Sequence, residues 1–552
     1  MGFLEKIGAT SAPNEATQRA REEAPQFEHV TWYKEPGLRK LAFYCVILCV
    51  SSAGTGYDGM VFNSYQNIPL WGDYFDHPDG DRLGLLGALY QIGSVCSIPL
   101  VPIITDNWGR RLSIAIGFII ITVGGILQGA CQDYGTFSGG RVLLGFGNSF
   151  AQIASPMLLT ELCHPQHRAR FTSVYNCLWN AGALIVAFCA VGTVNIDNEW
   201  SWRILAILQA VPSAIQLVFL WWIPESPRFL IAKDRQDEAL QILAKYHANG
   251  NADHPTVQFE FREIRDTIKL EQAANNSSRY IDFFRTKGNR YRLIVIIALG
   301  IFSQWSGNAV ISNYSARLYS AAGMDSANDR LWLNAGQTLM SMIVSVGMAL
   351  LVDRVNRRFM FLAATGGMFL TLAFWTLTCG LHERNQAAGA NAGMIFCVWI
   401  FSFFYSLAWS GLLIGYAVEI LPYSLRAKGL MILNIFIQVA LLLNTYLNPL
   451  AFKAWEAPPV DGEASKTGYG GNTWRLYLIY TIWVAGELTF VYFMFVETRG
   501  PTLEELVKII DGPDANVAAI DLGQIDKSEE LEKTNSAEQV HQVGHQVGDN
   551  KV

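Results

Sequence analysis

An aspartate stands inside a long apolar run near the start of the chain, in Gly56-Tyr57-Asp58. A charged carboxylate at the centre of a bilayer costs roughly 2.5–3.5 kcal/mol on insertion scales, so such a residue needs a counter-ion or a proton. Arg141, which opens another apolar stretch after Gly139 and Gly140, is the nearest candidate counter-ion. An acid that faces an arginine in one conformation and loses it in another changes its proton affinity between the two. That is the chemistry of proton loading and release. A static ion pair that locks two helices together is the competing role.

A second polar set, Gln304, Asn308, Asn313 and Tyr314, lies in an otherwise apolar run. Helical spacing puts Gln304 and Asn308 on one face with Tyr314 beside them. Amides donate and accept at once, which suits a hydroxyl-rich ligand. Interhelical hydrogen bonding is the alternative. Asn176 and Trp179 in one further run and Gln438 in another extend the set, while Trp409 and Tyr416 either stack on a ligand or pack.

Charged residues form a third pattern, and it repeats. Asp106-Asn107-Trp108-Gly109-Arg110-Arg111 joins two apolar runs, and half a chain later Asp353-Arg354-Val355-Asn356-Arg357-Arg358 joins two more. Glu161, Pro165 and Arg168 are answered by Glu419, Pro422 and Arg426, and Pro224-Glu225-Ser226-Pro227-Arg228 by Val496-Glu497-Thr498-Arg499-Gly500. Duplication of this kind in a membrane protein implies two similar bundles that rock about a central site. The acids and arginines of these loops read as a gate that bridges helices in one state and parts in the other. Screened ion pairs are individually weak, yet together they bias a balanced equilibrium. Positive-inside anchoring accounts for some of the arginines.

The elements that carry these residues are membrane spans. Of 552 residues, 51% are hydrophobic and only 16% charged, with 16 Trp, a composition far from that of a soluble domain. Runs of about 20 apolar residues fall at 41–62, 83–104, 112–131, 139–158, 171–193, 204–223, 292–314, 331–352, 359–380, 393–417, 428–450 and 475–496. The fold class is therefore all-α membrane protein, with twelve spans in two six-helix bundles and a small cytoplasmic helical unit. The expected divisions are a tail over 1–38, bundles over 39–231 and 291–500, a helical linker over 232–290, and a largely disordered tail over 501–552. Loop Lys and Arg residues, including Lys428, lie on one side, and Asp73, Asp76, Asp79, Asp81, Asp197, Glu199 and Asp325 on the other. This places both termini in the cytoplasm. Sequons at Asn275 and Asn276 would then be inert. The first 38 residues lack the apolar core of a cleavable signal. The nine cysteines fit no zinc spacing and read as small buried hydrophobes.

Together the loop motifs, Gly140-Arg141 with Gly145 and Gly147, and the stretch from Pro156 through Glu161 to Arg168 resemble the sugar porter family of the major facilitator superfamily. The resemblance covers about residues 40 to 505. Gln304-Trp305-Ser306-Gly307-Asn308 and His164-Pro165-Gln166-His167-Arg168 look like its fungal lactose permease-like branch, with lactose, cellobiose and cellodextrin carriers. Ser303 stands where the family has a first Gln, Asn308 directly follows Gly307, and Ser410-Gly411-Leu412-Leu413-Ile414 replaces the usual Gly-Pro-x-Pro-Trp stretch. These departures line the expected sugar cavity and argue against glucose.

The resemblance implies a secondary carrier that imports a sugar, most readily a disaccharide such as lactose or cellobiose, with a proton. It pairs Asp58 with Arg141 as the coupling site and implies a plasma-membrane location. The seventh and tenth spans hold no matching acid–base pair, so one coupling site is expected. Nothing in the sequence indicates an enzyme, a metal, a cofactor or a nucleic acid. The expected partners are the sugar, the proton and the bilayer, and the working unit is a monomer. An uncoupled sugar or polyol facilitator, an exporter of a glycosylated metabolite and a non-transporting sugar sensor are the rival readings.

Overall fold

The computed structural model describes residues 33–277, 280–324, 326–351, 355–385, 389–421, 423–456, 471–498 and 510. Asp325, Asp353, Arg354, Pro422, Arg499, Gly500 and nearly all of both expected tails lie outside the described residues, as do the side chains of Asn275 and Asn276. Among the described residues every element is a helix, the form that satisfies backbone polar groups within one segment where no water is at hand.

In chain order the first group is α1 (Pro36–Tyr65), α2 (Pro69–Tyr74), α3 (Asp81–Ser97), α4 (Leu100–Trp108), α5 (Arg110–Gly129), α6 (Tyr134–Leu162), α7 (Pro165–Thr193), α8 (Trp200–Leu208) and α9 (Ala210–Leu220). Four connecting helices follow: α10 (Pro227–Ala232), α11 (Gln236–His247), α12 (Pro255–Ser277) and α13 (Asp282–Arg285). The second group is α14 (Lys287–Trp305), α15 (Asn308–Ala321), α16 (Ala327–Leu351), α17 (Arg357–Asn385), α18 (Ala390–Ala408), α19 (Leu413–Ile420), α20 (Tyr423–Trp455) and α21 (Trp474–Met494).

Ten helices or merged helix pairs are long and apolar enough to cross a membrane, and α3 with α4, bent by 43° at Ile98–Pro99, makes an eleventh. Proline removes a backbone donor and crowds the preceding turn, which accounts for the bend. The remaining expected span is α16. Asn334, Gln337 and Thr338 dilute its apolar run, and all three are buried among neighbouring helices. Side chains such as Leu370, Ile482 and Phe493 point outward and are exposed, the inverse of a soluble protein and the expected pattern against lipid.

Helices α1 to α9 pack mainly on one another, as do α14 to α21. The two groups meet where α3 contacts α20, α7 contacts α16 and α1 contacts α15. The connecting helices bury Leu243 and Ala244 of α11 against Val257 of α12. They mark one end of the molecule, the linker face, where the Gly37 N–H donates to Asn249 Oδ1 at 3.0 Å. The opposite end, reached by the C-terminus of α1, is the far face.

Candidate functional site

Two close helix crossings set the position of Asp58 and Arg141. A Cβ on Gly182 of α7 would fall 1.8 Å from the carbonyl oxygen of Ala53, and one on Gly145 of α6 would fall 1.8 Å from that of Tyr90. Only hydrogen fits at either place, so α1 lies directly on α7 and α3 on α6. Asp58 and Arg141, each 3% exposed, consequently face the interior of the first group.

Their charges are within electrostatic reach of one another, but no direct ion pair joins them among the described residues. The sequence reading has the acid face the arginine in one conformation and lose it in another, and this conformation is one without the direct bond. Arg141 lies over the rings of Phe62 at 4.6 Å and Tyr90 at 5.3 Å, and its Nε donates to Leu86 O at 3.3 Å. Cation–π contacts in a desolvated setting hold a guanidinium firmly. One oxygen of Asp58 and one terminal nitrogen of Arg141 are buried without a hydrogen-bond partner. Trp179 is 38% exposed and its ring edge would lie 3.5 Å from a Cβ at Gly59, so it stands beside the same turn of α1. Asn176, one turn earlier on α7, is exposed.

The second polar set gathers around a broken helix. α14 ends at Trp305, Gly307 takes φ +104°, and α15 starts at Asn308. A side chain at 307 would be strained in that left-handed conformation, so glycine permits the break. Gln304 stands on its rim, where its backbone carbonyl accepts from Asn444 Nδ2 at 2.7 Å and its amide donates to Ser303 Oγ at 3.2 Å. Asn308 accepts from Ser312 at 3.4 Å. Tyr480 OH donates to Asn444 at 3.1 Å or Asn448 at 2.8 Å, and Tyr405 OH donates to Ser303 O at 2.9 Å. Gln438 presents a buried, unpartnered carbonyl oxygen on the same helix as Asn444.

Asn444, Asn448, Tyr480 and Tyr405 therefore belong to this cluster and were missed in the sequence. The i, i+4 spacing of Asn444 and Asn448 is the same signal that marked Gln304 and Asn308. Trp409 and Tyr416, by contrast, pack. Trp409 donates to Thr365 at 3.1 Å, and Tyr416 donates to Val496 O at 2.9 Å and stacks on Phe495.

Asn313 and Tyr314 sit nearer the far face, where the two groups are joined. Gln66 Nε2 donates to Asn313 O at 2.7 Å, and Asn63 Nδ2 donates to Ser315 Oγ at 2.7 Å and Asn334 Oδ1 at 3.2 Å. Arg317 of α15 is ion-paired with Asp79. Tyr314 is fully buried, donates to Thr445 O at 2.6 Å and interrupts the helical backbone of α15. Its hydroxyl is thereby committed to a bond between α15 and α20.

The charged motifs meet at the linker face, each within its own group. Arg110 reaches Glu161 through Nε at 3.1 Å and Nη2 at 3.3 Å, while Asp106 approaches Arg110 at 3.8 Å. Glu225 accepts the backbone N–H groups of Arg110 at 3.1 Å and Arg111 at 3.2 Å. In the second group Glu497 accepts those of Arg357 at 2.9 Å and Arg358 at 3.1 Å, and Arg357 meets Glu419 at 3.5 Å. Burial pushes the Glu225 carboxyl up, against the pull of those backbone donors. Arg168 is exposed at the start of α7, Arg228 belongs to the first turn of α10, and Arg426 lies in the first turn of α20. Nearby, His247 Nδ1 is 2.6 Å from Glu260 and its Nε2 3.1 Å from Leu162 O, tying the connecting helices to α6. His164 packs against His247 at 5.2 Å, and burial pushes its imidazole down to about 4.

Residues 44–509 match the family described as sugar (and other) transporter. The chain belongs to that family. Among its relatives, a high-affinity glucose transporter of Kluyveromyces lactis is 28% identical over 503 residues, covering 87% of each chain. A probable polyol transporter of Arabidopsis thaliana is 25% identical and covers 86% of this chain and 92% of its own. The xylose transporter XylE of E. coli, in a partially occluded inward-open conformation, superposes with a TM-score of 0.66 at 18% identity, covering 84% of this chain and 99% of XylE. The fold of this family member is thus that of XylE, and the twelve-span reading accords with it. It is a sugar-transporter-family membrane protein and not an enzyme.

Proposed function

We propose that this chain imports a sugar together with a proton by alternating access, with the linker face and both termini in the cytoplasm and the far face outside the plasma membrane. The observation that carries the coupling is Asp58, buried with an unpartnered oxygen beside an arginine that is held away from it by Phe62 and Tyr90. A buried carboxylate without a bonded cation is far costlier than the neutral acid. Movement of Arg141 off the two rings and onto Asp58 would favour the ionised form and expel the proton. One carboxyl therefore gives one proton-binding step at this site.

Gln304, Asn308, Gln438, Asn444 and Asn448 are proposed to hold the sugar, with Asn176 and Trp179 facing them from the first group. Tyr314 and Asn313 act as the outer lid of that site. The far-face contacts among Asn63, Gln66, Asp79, Ser315 and Arg317 are the outer gate, closed here. The linker-face clusters of Glu161, Glu225, Glu419 and Glu497 stabilise each bundle's inner end. A disaccharide of the lactose or cellobiose kind is the proposed substrate. Supporting it, Trp409 is packed within the second group rather than forming an aromatic platform for one ring. The glucose and polyol transporters among the relatives favour a monosaccharide or polyol as the second reading.

The test is proton uptake by cells lacking their own sugar carriers, on adding lactose, cellobiose, maltose, glucose or a polyol in turn. External alkalinisation with one of them, absent in Asp58→Asn, is the expected result. Labelled sugar entering with no pH change would reduce Asp58 to a structural residue and the protein to a facilitator.

A further inference from the structure

A second acid lies inside the membrane domain, and the coupling chemistry above does not use it. Glu487 is on α21, in the span Trp474–Met494, and is 1% exposed. One of its oxygens accepts the indole N–H of Trp483, one turn earlier, at 2.5 Å, and the other is buried with no hydrogen-bond partner. Neither oxygen has a cation partner among the described residues.

What surrounds this carboxyl connects it to the broken helix. Phe302 of α14 lies edge-on to Trp483 at 6.2 Å and to Phe490 at 5.3 Å, so it covers the turn that carries Glu487. Trp483 also packs against Trp305 at 5.6 Å, and Trp305 is the last residue of α14 before the Ser306–Gly307 break. Gln304 stands between Phe302 and Trp305. Tyr405 of α18 is a titratable group within electrostatic reach of Glu487, and its hydroxyl donates to Ser303 O. Further along α21, Tyr480 bonds to Asn444 and Asn448 of α20, and Thr481 bonds to Thr376 of α17, none of them charged.

We propose that Glu487 is a second proton-carrying carboxyl of this carrier, linked through Trp483 and Trp305 to the break beside Gln304. The proposal rests on the carrier reading. An acid with a single indole donor accommodates the neutral form in this conformation, and an ionised carboxylate would need donors that the present packing does not supply. Any shift of Trp483 when the broken helix closes on sugar changes the one hydrogen bond the carboxyl makes. Proton binding at Glu487 and sugar binding at Gln304 are then reciprocal, as linkage requires.

Infrared spectroscopy of the purified full-length protein decides this, through the carbonyl stretch of protonated carboxyl groups followed against pH and against added sugar. The expected result is a protonated-carboxyl band at neutral pH that survives in Asp58→Asn, disappears in Glu487→Gln, moves in Glu487→Asp, and shifts when the transported sugar is added. The Gln variant keeps an oxygen for Trp483, so it preserves the packing. A Glu487→Gln spectrum that superposes on that of the unmodified protein overturns the proposal. So does a band that stays fixed while tryptophan fluorescence reports sugar binding. If no sugar of the uptake panel alters the fluorescence of any of these proteins, the carrier reading itself fails and the proposal falls with it.

Discussion

Glu225 and Glu497 occupy equivalent places in the two halves of the chain: each carboxylate accepts both backbone N–H groups that open a long helix, α5 in one case and α17 in the other. The correspondence extends outward. Glu161 and Glu419 receive Arg110 and Arg357, Ser226 and Thr498 donate to those same acids, and Arg111 and Arg358 reach the carbonyls of Trp221 and Tyr492. An acid at a helix N-terminus satisfies orphan donors and meets the positive end of the helix dipole. The repeated motif is thus a structural clasp built twice, and both copies close within a bundle.

The two clasps differ in tightness, which gives a graded prediction. Arg110 and Glu161 are 3.1 Å apart with both side chains 10% exposed, whereas Arg357 and Glu419 are 3.5 Å apart with Glu419 31% exposed. Removing one partner from a buried pair strands the other charge and costs about 3 kcal/mol or more, against about 1 kcal/mol for a solvated pair. Arg110→Ala should therefore lower the melting temperature of the purified protein several times more than Arg357→Ala. Equal losses would mean that the clasps contribute through the backbone caps alone.

Gly182 tests the packing that places Asp58. Its missing Cβ leaves 1.8 Å to the Ala53 carbonyl, a backbone atom with no rotamer to change. Gly182→Ala must push α1 away from α7, and overpacking of this severity costs about 3 kcal/mol or more. Loss of folded protein in a fluorescence-detected elution profile is the expected outcome. Unchanged yield with unchanged uptake would show that the crossing has slack.

Across the far face, Arg317 and Asp79 form a charged contact between the two groups, and both are partly solvent-exposed. Such a pair contributes about 1 kcal/mol, which is about a fivefold shift in a two-state equilibrium. Arg317→Gln should move the population toward far-face opening by about that factor, and the exchanged pair Asp79→Arg with Arg317→Asp should restore much of it. Spin-label distances between α1 and α15 ends report the change directly.

Most spans were legible because about 20 apolar residues in a row have few other uses. Their interruptions were not. The bend at Pro99, the break at Gly307 and the gap between Ala408 and Leu413 leave hydropathy almost unchanged, since a kink needs only one or two residues. The polar load of α16 blurred its boundaries for a different reason: Asn334 and Gln337 are apolar-face violations that point to partners inside the protein. At the site, Asp58 announced itself as a lone charge in an apolar run. Glu487 carries the same signal in Ala485-Gly486-Glu487, in the last span and so outside the seventh and tenth, where a counterpart to Asp58 is expected by symmetry. The separation of Arg141 from Asp58 depends on Phe62 and Tyr90, whose convergence on one guanidinium is a matter of three-dimensional packing. Spacing alone does not show it.

His164 supplies a pH dependence whose sign is fixed. Its imidazole is pushed down from the ordinary 6.5 to about 4, chiefly by burial and then by His247 beside it. In the unfolded chain the ring takes up a proton near 6.5, and in the folded protein it resists until about 4. The unfolded state therefore binds more protons throughout that window, and stability falls as pH falls from about 6.5 to about 4. His164 also caps α7, accepting the Gln166 N–H on Nδ1. Asparagine is an equally good cap without a titrating ring, so His164→Asn should retain the fold at pH 7 and lose part of the acid sensitivity. Thermal melts of both proteins across this range make the comparison. Parallel curves for the two would mean that another group in the cluster carries the dependence, and a steeper curve for the variant would reverse the sign argued here.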